Sequence, residues 1–595
     1  MDDVLSLQAH RGPDFSSSRI TGNAILGHNR LAIVDLNSRS NQPFSDESKR
    51  YTLVYNGEIY NYPELKNDLL KKGYVFRTSS DTEVLLYHLI EFGADGINDL
   101  NGCFAFGFYD SVEDQLILAR DHMGINPLLF SVEDSGVVFA SELWPFMKRN
   151  APRTLSESAL NDYFRFTYIP APKTIFTEVQ KLLPGHYIIV KGKHMDIINY
   201  WTPENTVGFT GTYEEAVRTL KSKIERAVIT RLEADVPVGT FLSGGVDSSV
   251  VSAISSQFKS DLHTFSVGFL ESSFFDESNY AEAVANHIDS HHHAIRLSSE
   301  VVVNELNNVL ESFDEPFGDS SAIAMYFLAK GAKKELTVCL SGDGADELFS
   351  GYNKHRAFQR SLSNGTLVRL VRALPSLGKG SRSSRFQNRL RQLNNFRAML
   401  SKSSSEKYWF LAAFIEREQR KRLLKLFNEN ETPRQESIVG LNDFLRLDQL
   451  FVLPNDMLKK VDLMSMRQSL EVRTPFLDKD IVCFANGLPP EFKLQGNRTK
   501  RILKDAFKEE LPNQIFQRGK KGFEVPLENW IKLAWNSIVK KEWFDAHYIE
   551  KQGVFKFDYL EEIKAEFFTK KGGHLTMLIW CYIVFQSWYS KNNVT

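Results

Sequence analysis

Apolar and polar positions along the chain follow two rhythms. From Asn23 to about Val190, short apolar runs such as AILGHNRLAIVDL, YTLVYNGEIYN, CFAFGFYD, QLILARD and GVVFASEL are punctuated by Gly, Asn and Asp, the pattern of strands joined by tight turns. Between them, PELKNDLLKKG and DTEVLLYHLIEFG carry apolar residues three and four apart and stop at a glycine, which predicts amphipathic helices laid over the sheets. LLPGHYIIVKGKHMDIINYW reads as a closing hairpin, and the polar stretch after it puts a boundary near residues 202–213. Two domains are expected, 1–201 and 202–595.

After Tyr213 the rhythm becomes helix, strand, helix, strand: EEAVRTLKSKIERAVITRL, VPVGTFLSGG, VDSSVVSAISSQF, LHTFSVGF, NYAEAVANHI, HHAIRL. That alternation predicts a parallel sheet with helices on its faces. VVVNELNNVLESF and SAIAMYFLAKGAKK precede another buried strand, LTVCL, which runs into SGDGADELFSGY. Ligands of open parallel sheets sit outside the carboxyl ends of strands, so the two glycine-rich loops should face one site.

Composition narrows the class. The 595 residues are 42% hydrophobic and 25% charged, with 44 Phe and 20 Tyr, enough for several deep cores and incompatible with general disorder. A net charge of -2 supplies no overall field for nucleic acid or an anionic membrane, so any anionic ligand must be met locally. Four dispersed cysteines, Cys103, Cys339, Cys483 and Cys581, form no Cys-x-x-Cys pair, which fits a reducing, cytoplasmic setting. The N-terminus lacks the basic flank and apolar core of a signal peptide, and the run Met577 to Phe585 is too short to span a bilayer and reads as a buried core helix.

Two loops carry the chemistry. Ser243-Gly244-Gly245-Val246-Asp247-Ser248-Ser249 follows a strand and opens a helix; free backbone N–H groups, three hydroxyls and the helix N-terminus suit an anion of pyrophosphate size. It lacks the Walker A lysine, which points away from γ-phosphoryl transfer and toward release of pyrophosphate from ATP, with Mg²⁺ held by the aspartate. The alternative is a glycine turn capped by serine. Ser341-Gly342-Asp343-Gly344-Ala345-Asp346-Glu347 sets three carboxylates within five residues, for which a bound cation is the simplest compensation; an acidic helix cap is the alternative. Asp247 and Asp346 could clamp one Mg²⁺ across both loops.

SGGVDSS, SGDGADELFSGY, LKKVDLMSMRQSLEVRTPFLD and NRTKRILKDAF resemble, in this order, the synthetase domain of glutamine-dependent asparagine synthetases, and RGPD, NRLAIVD, NGEIYN and SSDTEVLL resemble their glutaminase domain. The resemblance implies an N-terminal αββα sandwich of the N-terminal-nucleophile type, with its first strands apparently missing, followed by a parallel-sheet α/β ATP-pyrophosphatase domain with a helical C-terminal part. It also implies that Arg30, Leu31, Ala32, Ile33, Val34, Asn56, Gly57, Glu58 and Asp81 hold glutamine. Asp81 would take its α-ammonium, Arg30 its carboxylate, and Asn56 with Gly57 the oxyanion. Leu242, Val267, Ser341 and Gly342 would surround the adenosine, beside Ser243, Gly244, Gly245, Asp247, Ser248 and Ser249, with Lys500 over the phosphates. Alone, Lys500 on a predicted helix would read as a solvated surface lysine. The substrates implied are aspartate, ATP and glutamine or ammonia, with Mg²⁺ as metal, neither nucleic acid nor membrane as partner, and oligomeric state open to a homodimer. The rival reading keeps the ATP chemistry with a different carboxylate and an inactive glutaminase half.

Glutaminases of this class use an N-terminal cysteine, whereas this chain begins Met-Asp-Asp and reaches Arg-Gly-Pro-Asp at positions 11–14. Retention of Arg30, Asn56-Gly57-Glu58 and Asp81 favours an N-terminal truncation or misplaced start over lost chemistry. Cys103, inside an apolar run, reads as core rather than as a replacement nucleophile.

Weaker features are His287 with His291-His292-His293, read as structural because neighbouring residues of a strand point to opposite faces; the basic stretch 355–402, read as a solvated helical insertion; and Gly519-Lys520-Lys521-Gly522-Phe523, read as a mobile loop near the cleft.

Overall fold

The computed structural model describes residues 1–149, 153–203, 206–362, 368, 371, 385–427, 437–518, 522–570 and 572–592. In the first part, β1 (Phe15–Thr21) and β2 (Ala24–Arg30) pair antiparallel, Phe15 opposite Arg30. β3 (Phe44–Ser45), β4 (Tyr51–Ile59), β5 (Gly102–Asp110) and β6 (Gln115–Arg120) follow, then β7 (Leu129–Glu133), β8 (Gly136–Ala140), β9 (Gln180–Lys181), β10 (His186–Lys191) and β11 (His194–Asn199). The main sheet has the order β11-β10-β6-β5-β4-β3, and β8-β7-β9 form a smaller one. Every residue of β5 is buried, because both faces of this central strand are covered, which is why its sequence reads as a continuous apolar run.

The helices Tyr62–Lys71 and Asp81–Phe92 lie where the sequence pattern puts them. In the second, the Ser80 side chain accepts from Thr82 N–H at the start, and Gly93 with φ 61° ends it, a conformation that costs glycine little.

The chain then enters the helix Tyr213–Arg231 through a capping box between Thr212 and Glu215. β12 (Val238–Phe241), β13 (His263–Phe269), β14 (His291–Leu297), β15 (Val338–Leu340) and β16 (Glu471–Arg473) form one parallel sheet in the order β14-β13-β12-β15-β16. β12 and β15 are neighbours, Val238 opposite Val338, so the loops leaving their carboxyl ends open at the same edge. The fold is therefore α/β, a layered β-rich part followed by a parallel-sheet part with a helical C-terminal region. The run Met577 to Phe585 lies in the helix Thr576–Asn592, whose Leu578 to Phe585 are all buried in the largest core. Among the described residues no helix is long and apolar enough to cross a membrane.

Candidate active site

The loop after β12 turns through Gly244, whose φ is 67°. A Cβ there would come within 2.5 Å of the Tyr280 backbone, and one on Gly342 would come within 2.8 Å of Ser248 N. Only glycines let the two loops and their supporting helix approach this closely. The Ser248 hydroxyl accepts from Ser243 N–H at 3.1 Å and meets Ser243 Oγ at 3.1 Å, holding the turn at the N-terminus of the helix Val246–Phe258. Positive potential from that helix converges on the same point.

Lys500 is not inside a helix, as the sequence pattern suggests, but is the residue before Arg501–Ala506, held at φ 52°. Nor is it solvated: it is 4% exposed, and its Nζ stands 2.5 Å from Asp247 Oδ2 and 2.5 Å from Asp346 Oδ1. Burial alone would lower the ammonium pKa, but the two carboxylates overcome it and raise it, so the lysine is a fixed charge. Gly351 makes the contact possible, because a Cβ there would lie 1.6 Å from Asp346 Oδ1 and 2.2 Å from Lys500 Cε. The Asp247 Oδ1 atom is buried and makes no hydrogen bond. With Asp346 beside it, this oxygen donor set fits a hard divalent cation shared with phosphate oxygens.

Next to these groups, the partly buried Asp343 accepts from Ser341 Oγ at 2.7 Å, and burial raises its carboxyl. Glu347 accepts from Tyr352 OH at 2.7 Å, and burial with the neighbouring Asp346 pushes it up to about 7. All border one cavity of about 1050 Å³, also lined by Leu242, Ser243, Gly245, Ser248, Val267, Ser341 and Gly342. Two expected members stand back from it: Gly244 supplies the turn, and the Ser249 side chain is fully buried behind the loop.

A second cavity, of about 530 Å³, is lined by Arg30, Leu31, Ile33, Val34, Asn56, Gly57, Glu58 and Asp81. Ala32 is not on its wall; its N–H donates to Asp14 at 2.8 Å. Arg30 donates to the carbonyls of Val34, Asp35 and Asn37 and to Asn41 Oδ1, fixing the loop that forms one side. Asp81 accepts from Tyr55 OH at 2.7 Å and Ile59 N–H at 3.1 Å, and burial raises its pKa. The Asn56 Nδ2 is buried without a hydrogen-bond partner, a donor aimed at no group of the protein. Gly57 must be glycine, since at φ 145° a Cβ would sit 2.0 Å from Cys103 O. The Glu58 carboxylate accepts from Arg473 at 3.2 Å rather than standing free for a ligand. Cys103 is 4% exposed and burial pushes its thiol up to about 12, a core cysteine as the apolar run predicts.

A family model described as Asparagine synthase matches residues 219–590, and one described as Glutamine amidotransferase domain matches residues 1–201. The chain belongs to the asparagine synthase family. It is 33% identical to "Asparagine synthetase [glutamine-hydrolyzing] 1" of Bacillus subtilis (strain 168), over 98% of this chain and 92% of that one. It is 30% identical to "Putative asparagine synthetase [glutamine-hydrolyzing]" of Mycobacterium tuberculosis H37Rv, again over 98% and 92%. A more distant relative is "Amidase chyE" of Penicillium rubens, 26% identical over 96% of this chain and 91% of that one. As a member of the asparagine synthase family the chain is a ligase, and ATP is a substrate of that family.

Several residues around the large cavity carry no local sequence signal. Arg518 donates to Gly244 O at 2.8 Å and to Glu277 at 2.5 Å, and lies over the Tyr280 ring at 4.7 Å, clamping the first loop from outside. In the segment Asp314 to Ser321, Asp319 and Ser321 border the large cavity, whereas Glu315 pairs at 2.5 Å with both Lys181 and Lys459. Gly522 and Phe523 line the large cavity, and Gly519-Lys520-Lys521 lie outside the described residues. So does much of 355–402; its described parts include the helices Asn353–Ser361 and Arg385–Met399 with the turn that follows. Along β14 the histidines alternate as a strand requires: His292 bonds Thr264 and Ser266, while His293 meets His263 and stacks on Phe265. His287 ends the helix Ser278–His287.

Proposed function

We propose that the chain catalyses ATP-dependent amidation of L-aspartate to L-asparagine through a β-aspartyl-AMP intermediate, releasing AMP and pyrophosphate, with ammonia or glutamine as nitrogen donor. The observation that carries this reading is the ammonium of Lys500 held 2.5 Å from both Asp247 and Asp346, a charge set where two glycine loops can seat a triphosphate. Attack of the side-chain carboxylate on the α-phosphorus forms the acyl–oxygen–phosphorus link and breaks the bond to pyrophosphate. Lys500 stabilises the charge that develops on the α-phosphate oxygens, and the N–H groups that open the helix Val246–Phe258, with the hydroxyls of Ser243 and Ser248, receive the departing pyrophosphate. Asp247 and Asp346 would hold Mg²⁺, which when bound neutralises phosphate charge. Ammonia then attacks the acyl carbon and AMP leaves.

In this reading residues 1–201 handle glutamine and 202–595 form the amide. Asp81 takes the α-ammonium of glutamine, Arg30 supplies a positive charge toward its carboxylate while its Nη donors hold the carbonyls of Val34, Asp35 and Asn37, and the unpartnered Asn56 Nδ2 with the Gly57 N–H offers an oxyanion site. A cavity of about 30 Å³ supports a route for ammonia between the halves. It shares Arg11, Asn56, Met466 and Glu471 with the glutamine cavity and Val461 with the large one, and it has room for one molecule of that size. The test is mass-spectrometric identification of the amide formed from aspartate, ATP and ammonia, with AMP and pyrophosphate measured alongside. AMP accompanied by another amide would favour the rival acceptor, in keeping with the amidase-named relative.

A further inference from the structure

The large cavity holds a carboxylate that the two loops do not use. Asp456 lies in the π-helical turn Asp448–Met457, a geometry that recurs at functional sites. The preceding Asn455 stitches this turn in place, accepting from Ala171 N–H at 2.8 Å and donating to Phe451 O at 2.8 Å. Asp456 itself is 3% exposed, borders the cavity, and leaves its Oδ1 buried without a hydrogen-bond partner. The nearby cation is already engaged: Lys460 donates to Asp319 at 3.1 Å, and Asp319 also accepts from Ser321 N–H at 2.9 Å and Ser321 Oγ at 2.7 Å. This corner therefore sets Asp456, Asp319 and Asp343 against the ammonium of Lys460, with the charge of Lys354 also reaching Asp456. A buried acceptor left alone is costly, and excess negative charge in a cavity wall calls for a cationic donor from the ligand.

We infer that Asp456 determines acceptor specificity by receiving the α-ammonium of the acid that is activated, so that the cavity selects α-amino acids over their des-amino analogues. The inference rests on the reading of this cavity as the acceptor's site. The amine takes no part in bond making, and the residue acts on recognition alone. A site built to bond a polar group of its substrate rejects the analogue lacking it, because the buried oxygen is then left unpaired.

Aspartate and succinate differ only by this amine, and their binding is measured by calorimetry on the full chain in the presence of a non-hydrolysable ATP analogue and Mg²⁺. Wild type should bind aspartate at least ~10²-fold more tightly than succinate, and Asp456→Asn should bring the ratio to within about threefold. Equal binding of the two acids by wild type overturns the inference. So does an unchanged ratio in Asp456→Asn, since a carboxylic acid that merely shares a proton with Asp319 tolerates the amide. Equal loss of both acids together with the nucleotide analogue overturns it as well, because it marks a collapsed cavity. Failure of the functional reading is a separate outcome, the absence of AMP formation by wild type with ATP, aspartate and ammonia, and it leaves the binding ratio to be read on its own.

Discussion

Arg473 Nη2 lies 3.2 Å from the Glu58 carboxylate, across 415 positions of sequence. Arg473 is fully buried, bonds Glu471 at 2.8 Å and the carbonyls of Arg231 and Glu233, and its own carbonyl accepts from Ser341 N–H at 2.9 Å. One residue thus joins the smaller cavity to the second glycine loop of the large one. Removing one partner of such a buried cluster leaves the others uncompensated, so Arg473→Met should cost about 3–5 kcal/mol in chemical denaturation. An unaltered midpoint would show that the cluster carries no stability.

Asp247→Asn and Asp346→Asn should each abolish AMP formation with ammonia as donor. Each removes a carboxylate from the pair facing Lys500 and from the oxygen donor set proposed for Mg²⁺. Ammonia keeps the glutamine half out of the measurement. AMP formation at the wild-type rate by either variant would place the site elsewhere.

Lys500→Ala should lower turnover by ~10²-fold or more, because a fixed ammonium in a cavity is worth several kcal/mol to a developing phosphate charge. Steady-state release of pyrophosphate reads this directly, and a rate equal to wild type would refute the role.

The 595-residue chain should form product from ammonia while hydrolysing little glutamine. Among the described residues, Cys103 backs Gly57 of the smaller cavity and is buried, with burial pushing its thiol up to about 12, far from a reactive thiolate. Glutamate release is the readout. Glutamine hydrolysis matching the synthetase turnover and abolished by Cys103→Ala would contradict this.

Lys493 gives a stability prediction with a definite sign. Its fully buried Nζ has one acceptor, Asn442 Oδ1 at 3.0 Å, and burial, followed by repulsion from Arg446, lowers its pKa to about 7 from the ordinary 10.5. Between those values the unfolded chain binds the extra proton, so this group makes stability rise with pH from about 7 to about 10.5, and penalises folding most below 7. Lys493→Met should raise the melting temperature at pH 6 and do less at pH 9, with a gain on the order of 5 kcal/mol at most. An equal effect at both pH values would rule out a titrating amine.

Local pattern alone determined a good deal. Strand, glycine loop and helix in SGGVDSS and SGDGADELF follow from periodicity and glycine placement, and a parallel sheet with both loops at its carboxyl edge follows from strands alternating with helices, whereas the order that sets β12 beside β15 belongs to the fold. The buried helix at Met577 to Phe585 and the inert Cys103 were legible in the same way. Which charges meet was not. Lys500 reads as a surface lysine until the fold carries it across 253 positions to Asp247, and in motifs read as binding loops the Glu58 carboxylate is engaged by Arg473, the Ser249 side chain is buried in the core, and the Ala32 N–H donates to the Asp14 carboxylate. Asp456 and Arg518 have no signal of their own, and Arg473 lies in a recognisable motif that does not name its partners, because periodicity encodes how deeply a position is buried, whereas the partner that gives a buried charge its meaning is chosen by chain segments hundreds of residues apart.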